Sequence, residues 1–470
     1  MFLVRGRSIP SVTGAVLASG MLCAGTLALA GTAAADDGGD TNVAVLGNIV
    51  HGGRVNILDD SGKVEERLTG GTIRLTLQNG ALETYCIDIH NPTSKGTKYT
   101  ETDWDHSVLS DKKERLGKIR WILQHAYPVV QPADLASKAG VQQLNEDTAA
   151  AATQAAIWHF SDGVNAHPKN GAADKVTKWL EDQAEKQGST EEPLPSLQLT
   201  PDSVSGNSGD KVGPVTVNTS ADKVQIGLDD KSKADGVTVV DGNGNPATTA
   251  SNGDKLFFKV PADAAKGEGT LNASTTTRIE VGRVFAPVDK KSQTLILAGS
   301  TDVPVSATAT GAWAPKEHKG PIPSVTFDKS CTAGGVEVTA TNSGDQDFTF
   351  KLNGESHTVQ PGKSAKVLVK VGEDQSYSIK VEGPAGFGPW KTQGVLDCKT
   401  SDNGGGGNGS SASPSPNAPT TNNNNTSGGD LAQTGSSSAT PVIAGIAAAL
   451  VIAGGGLVFF LRKRRSTPSA

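Results

Sequence analysis

Hydrophobic and polar positions repeat with two different periods in the first part of the chain. They alternate over residues 73–77, an Asn79-Gly80 pair follows, and apolar residues resume after it, which predicts a β-hairpin. Elsewhere the apolar residues recur at helical spacing. This spacing predicts helices over 111–126, 148–161 (with Asp147 as its N-cap) and 174–185, so we expect an α+β fold for residues 36–193.

The helical period is lost after this region. Short runs of β-branched and aromatic residues alternate with Gly, Asn and Asp clusters, a pattern typical of β-sandwiches. We expect two such Ig-like domains, residues 194–315 and 316–400, which act as rigid spacers. Neither range contains a recognisable catalytic constellation.

The N-terminal 35 residues have the pattern of a secretory signal peptide. Arg5 and Arg7 precede an apolar stretch of small residues, and Ala33-Ala34-Ala35 fits the cleavage rule. We therefore predict that residues 1–35 are removed and that the rest of the protein is secreted.

The C-terminal part of the chain predicts a tether and an anchor. Residues 401–430 are rich in Gly, Ser, Asn and Pro, too polar to bury a core, and should form a disordered linker. An uncharged apolar run at 441–461 is long enough for a transmembrane helix, and a basic tail follows it. Residues 431–470 begin with the pentapeptide Leu431, Ala432, Gln433, Thr434, Gly435.

Together, the pentapeptide, the apolar span and the basic tail resemble a Gram-positive cell-wall sorting signal of the LAxTG type. The resemblance implies that a class E sortase cleaves between Thr434 and Gly435 and joins Thr434 to peptidoglycan. The alternative is an ordinary single-pass anchor with an accidental pentapeptide.

Composition and charge narrow the class of function. The 470 residues carry a formal net charge of −6, which argues against a nucleic-acid-binding protein. Only 4% of residues are aromatic, which is low for an enzyme with a large apolar pocket. No His, Asp or Glu cluster has metal-ligand spacing, so we expect no cofactor and no metal.

Three cysteines remain after the signal peptide. Cys331 and Cys398 open and close the last predicted β domain, and a disulfide between them is the simplest pairing in a secreted protein. Cys86 is then left over, on the second strand of the hairpin. A single Cys is most often a small buried hydrophobic residue, but a leftover thiol also suggests covalent chemistry.

The second predicted helix contains an unexpected polar residue. Gln154 falls in the middle of the core stripe of this helix, between Ala151 and Ile157. A buried primary amide needs several hydrogen bonds or destabilises the fold by a few kcal/mol. Either Gln154 has those bonds, or its amide has reacted.

These residues resemble a known family. Tyr85-Cys86-Ile87-Asp88, followed by Thr153-Gln154-Ala155-Ala156-Ile157-Trp158, is similar to the thioester (TQxA) domains of Gram-positive surface adhesins. The resemblance implies that the Cys86 sulfur and the Gln154 side-chain carbonyl form an intramolecular thioester. An amine on a ligand, most simply a Lys side chain, would then attack this bond once, giving an isopeptide bond in a protein that is not an enzyme.

Two other functions are compatible with the sequence. One is a structural wall protein that binds non-covalently through its β domains. The other is a cysteine hydrolase or transferase acting on wall peptides, which would need a histidine beside Cys86. Asp88 is close to Cys86 in sequence, but we assign it no role. No spacing distinguishes among the candidate histidines His51, His90, His106, His125 and His159.

Overall fold

A computed structural model describes residues 42–399 of the chain. The predicted signal peptide, the linker and the sorting signal, including the span at 441–461, lie outside these residues. Within the described part, no helix is long and apolar enough to cross a membrane.

The N-terminal part combines a sheet with four α-helices, as the two hydrophobic periods predict. The Asn79-Gly80 turn joins the second and third strands, and the three predicted helices are present. A fourth, short helix was not predicted. In chain order the elements are β1 (Ala44–Leu58), β2 (Val64–Leu77), β3 (Gly80–Cys86), β4 (Lys98–Thr102), a 3₁₀ turn (Trp104–His106), α1 (Lys113–His125), α2 (Pro132–Lys138), α3 (Glu146–Ser161), β5 (Asn165–Pro168) and α4 (Gly171–Gln187).

The middle part is almost entirely β-structure. Its strands are short and most alternate buried and exposed residues, as in β8, where Val212, Val215 and Val217 face inward. The elements are β6 (Gln198–Thr200), β7 (Ser203–Asn207), β8 (Lys211–Asn218), β9 (Val224–Leu228), α5 (Asp230–Ala234), β10 (Thr238–Val240), β11 (Thr249–Ala250), β12 (Lys255–Lys259), β13 (Gly267–Thr277), β14 (Val284–Pro287), β15 (Leu295–Ser300) and β16 (Val303–Ala314).

Two strands of this middle part belong to the N-terminal sheet. β14 pairs with β4, and β15 pairs with both β14 and β3, so the strand order is β2-β3-β15-β14-β4-β1-β5. Since β1 also pairs with β2, six of these strands close into a barrel. Strand β5 extends the barrel along one end of β1.

The expected boundary between residues 193 and 194 therefore does not separate two independent sheets. The remaining middle strands form a four-stranded sheet, β10-β12-β8-β6, and a five-stranded sheet, β11-β9-β13-β16-β7. These sheets meet where Phe258 packs against Gly311 of β16. The chain leaves this sandwich after β13, contributes β14 and β15 to the barrel, and returns with β16. A run of β-prone residues predicts a strand, but it does not specify which sheet the strand joins.

The last part is a smaller β-domain with its own core. Phe348 and Phe350 stack within it, and the predicted Asn353-Gly354 turn adopts positive φ at both residues. A disulfide joins Cys331 to Cys398, the pair that the sequence predicts. The strands are β17 (Pro323–Ser330), β18 (Gly335–Asn342), β19 (Phe348–Leu352), β20 (Glu355–Val359), β21 (Lys363–Lys370), β22 (Gln375–Val381) and β23 (Trp390–Leu396).

Candidate functional site

The structure brings Cys86 and Gln154 together, although 67 residues separate them in sequence. Cys86 is the last residue of β3, and Gln154 lies midway along α3. The Cys86 backbone N–H donates to Gln154 Oε1 at 3.0 Å, and Gln154 Nε2 donates to the Cys86 carbonyl oxygen at 2.8 Å. These two bonds hold the plane of the side-chain amide against the residue that carries the thiol.

The two reciprocal hydrogen bonds also explain how a polar side chain can lie on the core stripe of α3. Gln154 is 1% exposed and Cys86 is 2% exposed, so both groups are removed from water. The amide recovers a donor and an acceptor bond from the backbone, which offsets much of its desolvation cost. Burial of the amide is therefore compatible with a structural role, and the same two bonds place the amide against the residue that carries the thiol.

Cys86 is the free cysteine of the described residues, and its surroundings keep it un-ionised. Burial raises the pKa of the Cys86 thiol well above its usual value, and the carboxylates of Asp162 and Asp88 raise it further. The Asp88 N–H donates to Cys86 Sγ at 3.3 Å, which opposes this effect. At neutral pH the sulfur therefore holds its proton.

Trp158 covers the same site from the next turn of α3. Its ring is buried, and its indole N–H makes no hydrogen bond of ordinary geometry within the described structure. This N–H nevertheless lies close enough to the Cys86 thiol to lower the pKa of that thiol slightly. Trp158 therefore serves chiefly to exclude water from the site.

Two pairs of glycines, which we did not single out from the sequence, lie where α3 crosses the barrel, and one member of each strand, Gly53 and Gly70, faces the helix. Gly52 is opposite Gly71, and Gly53 is opposite Gly70, across strands β1 and β2. A Cβ atom on Gly70 would lie 3.1 Å from Gln154 Cγ. The available signal was the recurrence of Gly-Gly in both strands, where glycine otherwise weakens a sheet.

The helix α3 is fixed at its N-terminal end and along its side. At its N-terminus, Asn145 and Thr148 form a reciprocal capping box, so the cap is Asn145 and the predicted cap Asp147 is wrong. Asp147 lies inside the first turn and accepts a hydrogen bond from the Gly52 N–H at 3.3 Å. Thr177 of α4 donates to the Ala152 carbonyl oxygen at 3.1 Å, which ties the two helices together.

The histidines that a cysteine hydrolase would need are engaged elsewhere or exposed. Within residues 42–399, no histidine forms a hydrogen bond with Cys86 or Gln154. His51 pairs with Glu146 and Asp147, and His106 pairs with Asp103 and Asp328. His125 contacts the Trp121 carbonyl oxygen. His90 and His159 are exposed.

Asp88 has a different role in the structure. It is fully buried, and its backbone N–H contacts the thiol. Its side chain accepts a hydrogen bond from Asn91 Nδ2, which also donates to Asp374 of the last β-domain. Burial and the neighbouring Asp397 raise the pKa of Asp88. The residues of the sorting pentapeptide, Leu431 to Gly435, lie outside the described residues.

Comparison with known proteins identifies the class of domain that holds this site. Residues 83–186 match the family described as TED, the thioester domain, and this range contains both Cys86 and Gln154. This part of the chain therefore carries a thioester domain. No curated protein matches the chain.

Several solved structures are similar to the chain at low identity. The Bacillus anthracis TIE protein is 14% identical, covers 76% of this chain and 81% of that chain, and superposes with a TM-score of 0.28. The thioester domain of the Enterococcus faecium TIE86 protein is 15% identical, with 58% and 96% covered and a TM-score of 0.28. That of the Staphylococcus aureus TIE protein is 13% identical, with 58% and 99% covered and a TM-score of 0.23. Because these TM-scores are low, we infer nothing about this protein from the similarities.

Proposed function

We propose that this protein is a secreted surface adhesin that captures its ligand covalently through a Cys86–Gln154 thioester. The observation that carries the proposal is the pair of hydrogen bonds between the Gln154 amide and the Cys86 backbone. The match of residues 83–186 to the thioester domain family supports it.

The first step forms the thioester. Cys86 Sγ attacks the side-chain carbonyl carbon of Gln154, the carbon–nitrogen bond breaks, and the amide nitrogen leaves as ammonia with the proton of the thiol. The Cys86 N–H already donates to Gln154 Oε1, so it stabilises the negative charge that develops on this oxygen. Fixing both groups on rigid elements makes the attack intramolecular, and such pairs reach effective molarities of about 10⁵–10⁸ M.

The second step captures the ligand. A primary amine attacks the Gln154 carbonyl carbon, the carbon–sulfur bond breaks, and one amine proton returns to Cys86 as its thiol is released. The product is an isopeptide-type amide between the protein and its ligand, which we expect to be a protein with an accessible lysine. Because each molecule reacts once, the protein is not an enzyme.

Burial of the site protects the stored bond. Both reacting side chains are almost fully covered, and Trp158 and Ile157 lie beside them on α3. Water is thereby kept from the thioester, which slows its hydrolysis. An amine reaches the carbonyl only when the covering side chains move, so the ligand must supply binding contacts near this surface.

We also propose that the protein is anchored to the cell wall. The support is the C-terminal pattern of pentapeptide, apolar span and basic tail. A class E-like sortase would cleave after Thr434 and join it to peptidoglycan. The apolar span at 441–461 would therefore lie in the membrane only before sorting. The polar linker would then hold the thioester domain away from the wall.

Intact-mass measurement of the secreted protein tests the thioester. We expect the wild-type chain to be lighter than its sequence mass by one ammonia beyond the loss caused by the disulfide. Incubation with methylamine should then add one methylamine, because the amine opens the thioester. The Cys86→Ala and Gln154→Ala variants should show neither the ammonia loss nor the methylamine adduct.

Gln124→Ala is a matched control for this experiment, since Gln124 is an exposed amide on the neighbouring helix α1. This variant should retain both the ammonia loss and the adduct. A folded wild-type protein of full mass, with Cys86 open to alkylation after denaturation, would refute the thioester. Multiple turnover on a wall peptide would instead favour the hydrolase alternative.

A further inference from the structure

A buried cluster of carboxylates lies where the thioester domain meets the last β-domain. We define this acidic junction as Asp88, Asn91, Glu373, Asp374 and Asp397. Asp88 and Asn91 are in the segment that follows β3, while the other three residues flank β22 and β23 of the last domain. The junction is separate from the Cys86–Gln154 pair, although its first residue is only two positions after Cys86.

The three most buried side chains of the acidic junction each have an oxygen without a partner. Asp88, Asn91 and Asp397 are no more than 1% exposed, and Asp88 Oδ1, Asn91 Oδ1 and Asp397 Oδ1 accept no hydrogen bond in the described structure. Each unpaired buried acceptor destabilises a fold by about 1–3 kcal/mol, and more when it is charged. Three such oxygens in one place indicate that another group normally contacts them.

The remaining atoms of these side chains fix where the unpaired oxygens lie. Thr294 Oγ1 donates to Asp397 Oδ2. Asn91 Nδ2 donates both to Asp88 Oδ2 and, at 3.3 Å, to Asp374 Oδ1, so one amide bridges the two domains. The unpaired Asp88 and Asp397 oxygens are therefore the second carboxylate atoms of groups already held in the junction.

The spacing of the carboxylates fits a single cation. Glu373, Asp374 and Asp397 each place an oxygen within 4.8 Å of the others. Calcium binds oxygens at about 2.3–2.6 Å, so oxygens on opposite sides of one ion are about 5 Å apart. Glu373 Oε1 accepts the backbone N–H groups of Cys398 and Lys399, which leaves its second oxygen available.

The local charge also favours a cation. Four carboxylates are present in the junction, and two lysines lie nearby. Lys291 Nζ is 2.7 Å from Asp374 Oδ2, and Lys329 is close enough to Asp397 and Glu373 that these acids raise its pKa against the larger lowering effect of burial. The carboxylates of the junction therefore outnumber the lysines. Without a bound cation, the buried carboxylates of Asp88 and Asp397 must share protons or repel each other.

We propose that the acidic junction binds one Ca²⁺ ion through Glu373, Asp374 and Asp397. The donors are oxygens, with neither a thiol nor an imidazole among the junction residues, and this set favours a hard cation. Glu373 and Asp374 are half-buried and provide a path from solvent. Asn91, in the segment after β3, donates to Asp374 Oδ1, so an ion held by Asp374 also steadies the contact between this segment and the last domain.

Calorimetric titration of the purified, chelator-treated chain with Ca²⁺ at neutral pH tests the site. We expect one ion per chain with a Kd of about 0.1–1 mM, the range of extracellular calcium modules. The melting temperature should rise with Ca²⁺ concentration, because the ion binds only the folded state. The Cys86→Ala variant should bind equally, so this result is independent of the thioester.

Two variants and a control locate the ion. Asp374→Asn removes a half-buried ligand and should weaken Ca²⁺ binding by about tenfold or more, because charged ligand count sets the affinity. Asp397→Asn should abolish the Ca²⁺ response. Glu382→Gln changes an exposed carboxylate of the same domain and should bind like wild type. If Asp397→Asn does not fold, the wild-type titration and Asp374→Asn still decide the question.

Three results would overturn the proposal. The first is a wild-type chain with neither heat of binding nor a change in melting temperature at millimolar Ca²⁺. The second is binding that Asp374→Asn leaves unchanged. The third is a chain that binds Zn²⁺ or Mg²⁺ but not Ca²⁺.

Discussion

At the scale of single residues, the site depends on glycines, which have no side chain, as well as on the two residues that react. Gln154 lies among alanines on α3, and the strand residues facing it are glycines. A side chain at Gly70 would meet Val55 Cγ2 at 2.9 Å, Gln154 Cγ at 3.1 Å and Trp158 Cζ3 at 3.2 Å. The Gln154 amide therefore keeps its position only if residue 70 of this strand has no side chain.

We predict that Gly70→Ala impairs thioester formation. The added methyl group displaces Gln154 or its neighbours, and overpacking of this kind costs about 1–3 kcal/mol. A small misplacement of the amide should also slow ammonia loss by roughly tenfold to a hundredfold. Time-resolved intact mass after refolding, with thermal unfolding in parallel, measures both effects.

Gly227→Ala is the control for this prediction. Gly227 also lies within a strand, but a Cβ there would meet no atom within 4 Å. This variant should form the thioester at the wild-type rate. Equal rates for Gly70→Ala and wild type would show that the close approach at Gly70 is irrelevant to the reaction.

At the scale of elements, α3 is a helix that is buried on nearly all sides. Twelve of its sixteen residues are buried, and many of them are alanines that allow close packing against β1, β2 and α4. The exposed first turn of α3 is polar, and its N-terminal cap provides a partner for a backbone N–H there. The Asn145 side chain accepts the Thr148 N–H at 2.8 Å, and Thr148 Oγ1 accepts the Asn145 N–H at 2.9 Å.

We predict that Asn145→Ala lowers the free energy of unfolding by about 1 kcal/mol, because it leaves N–H groups of the first turn of α3 unpaired. Denaturant unfolding of the two proteins measures the difference. Asp147→Asn is the comparison, since it keeps an oxygen near the Gly52 N–H and removes only exposed charge contacts, and it should change stability by no more than a few tenths of a kcal/mol. A larger loss in Asp147→Asn than in Asn145→Ala would make Asp147 the effective cap.

At the scale of the whole molecule, the thioester domain is discontinuous in sequence. β3, which ends at Cys86, pairs on one side with β2 and on the other with β15 from residues 295–300. Leu295 is directly opposite Cys86 in this register. The alignment of the thiol thus depends on a strand that lies about 200 residues further along the chain.

We predict that residues 42–193 alone do not fold into a thioester-forming domain. Without β14 and β15 the barrel is open between β3 and β4, and the backbone groups of both strands lose their partners. Residues 42–315 contain all the barrel strands and should fold cooperatively and lose ammonia. Cooperative thermal unfolding and ammonia loss in the shorter fragment would contradict the structural role of β14 and β15.

Sequence patterns over a few neighbouring residues were enough to predict several elements of the fold. The hairpin around Asn79-Gly80 and the helix at 111–126, observed at Lys113–His125, follow from periodicity and turn residues that act over a few positions. The disulfide follows from two cysteines that bracket one domain. Cys86 and Gln154 stood out because a leftover thiol and an amide on a core stripe each conflict with their local surroundings, and the resemblance to thioester domains paired them.

The sequence by itself therefore determined most of the elements and the pairing of Cys331 with Cys398, because these depend on short-range preferences and residue chemistry, and it singled out Cys86 and Gln154 as unusual residues that the family resemblance then linked. Only the tertiary structure decided that β14 and β15 join the barrel, that glycines of β1 and β2 face α3, and that carboxylates from two domains meet in the acidic junction. The physical reason is that strand pairing and close packing join residues hundreds of positions apart, and a strand's own residues specify its conformation but not its partner.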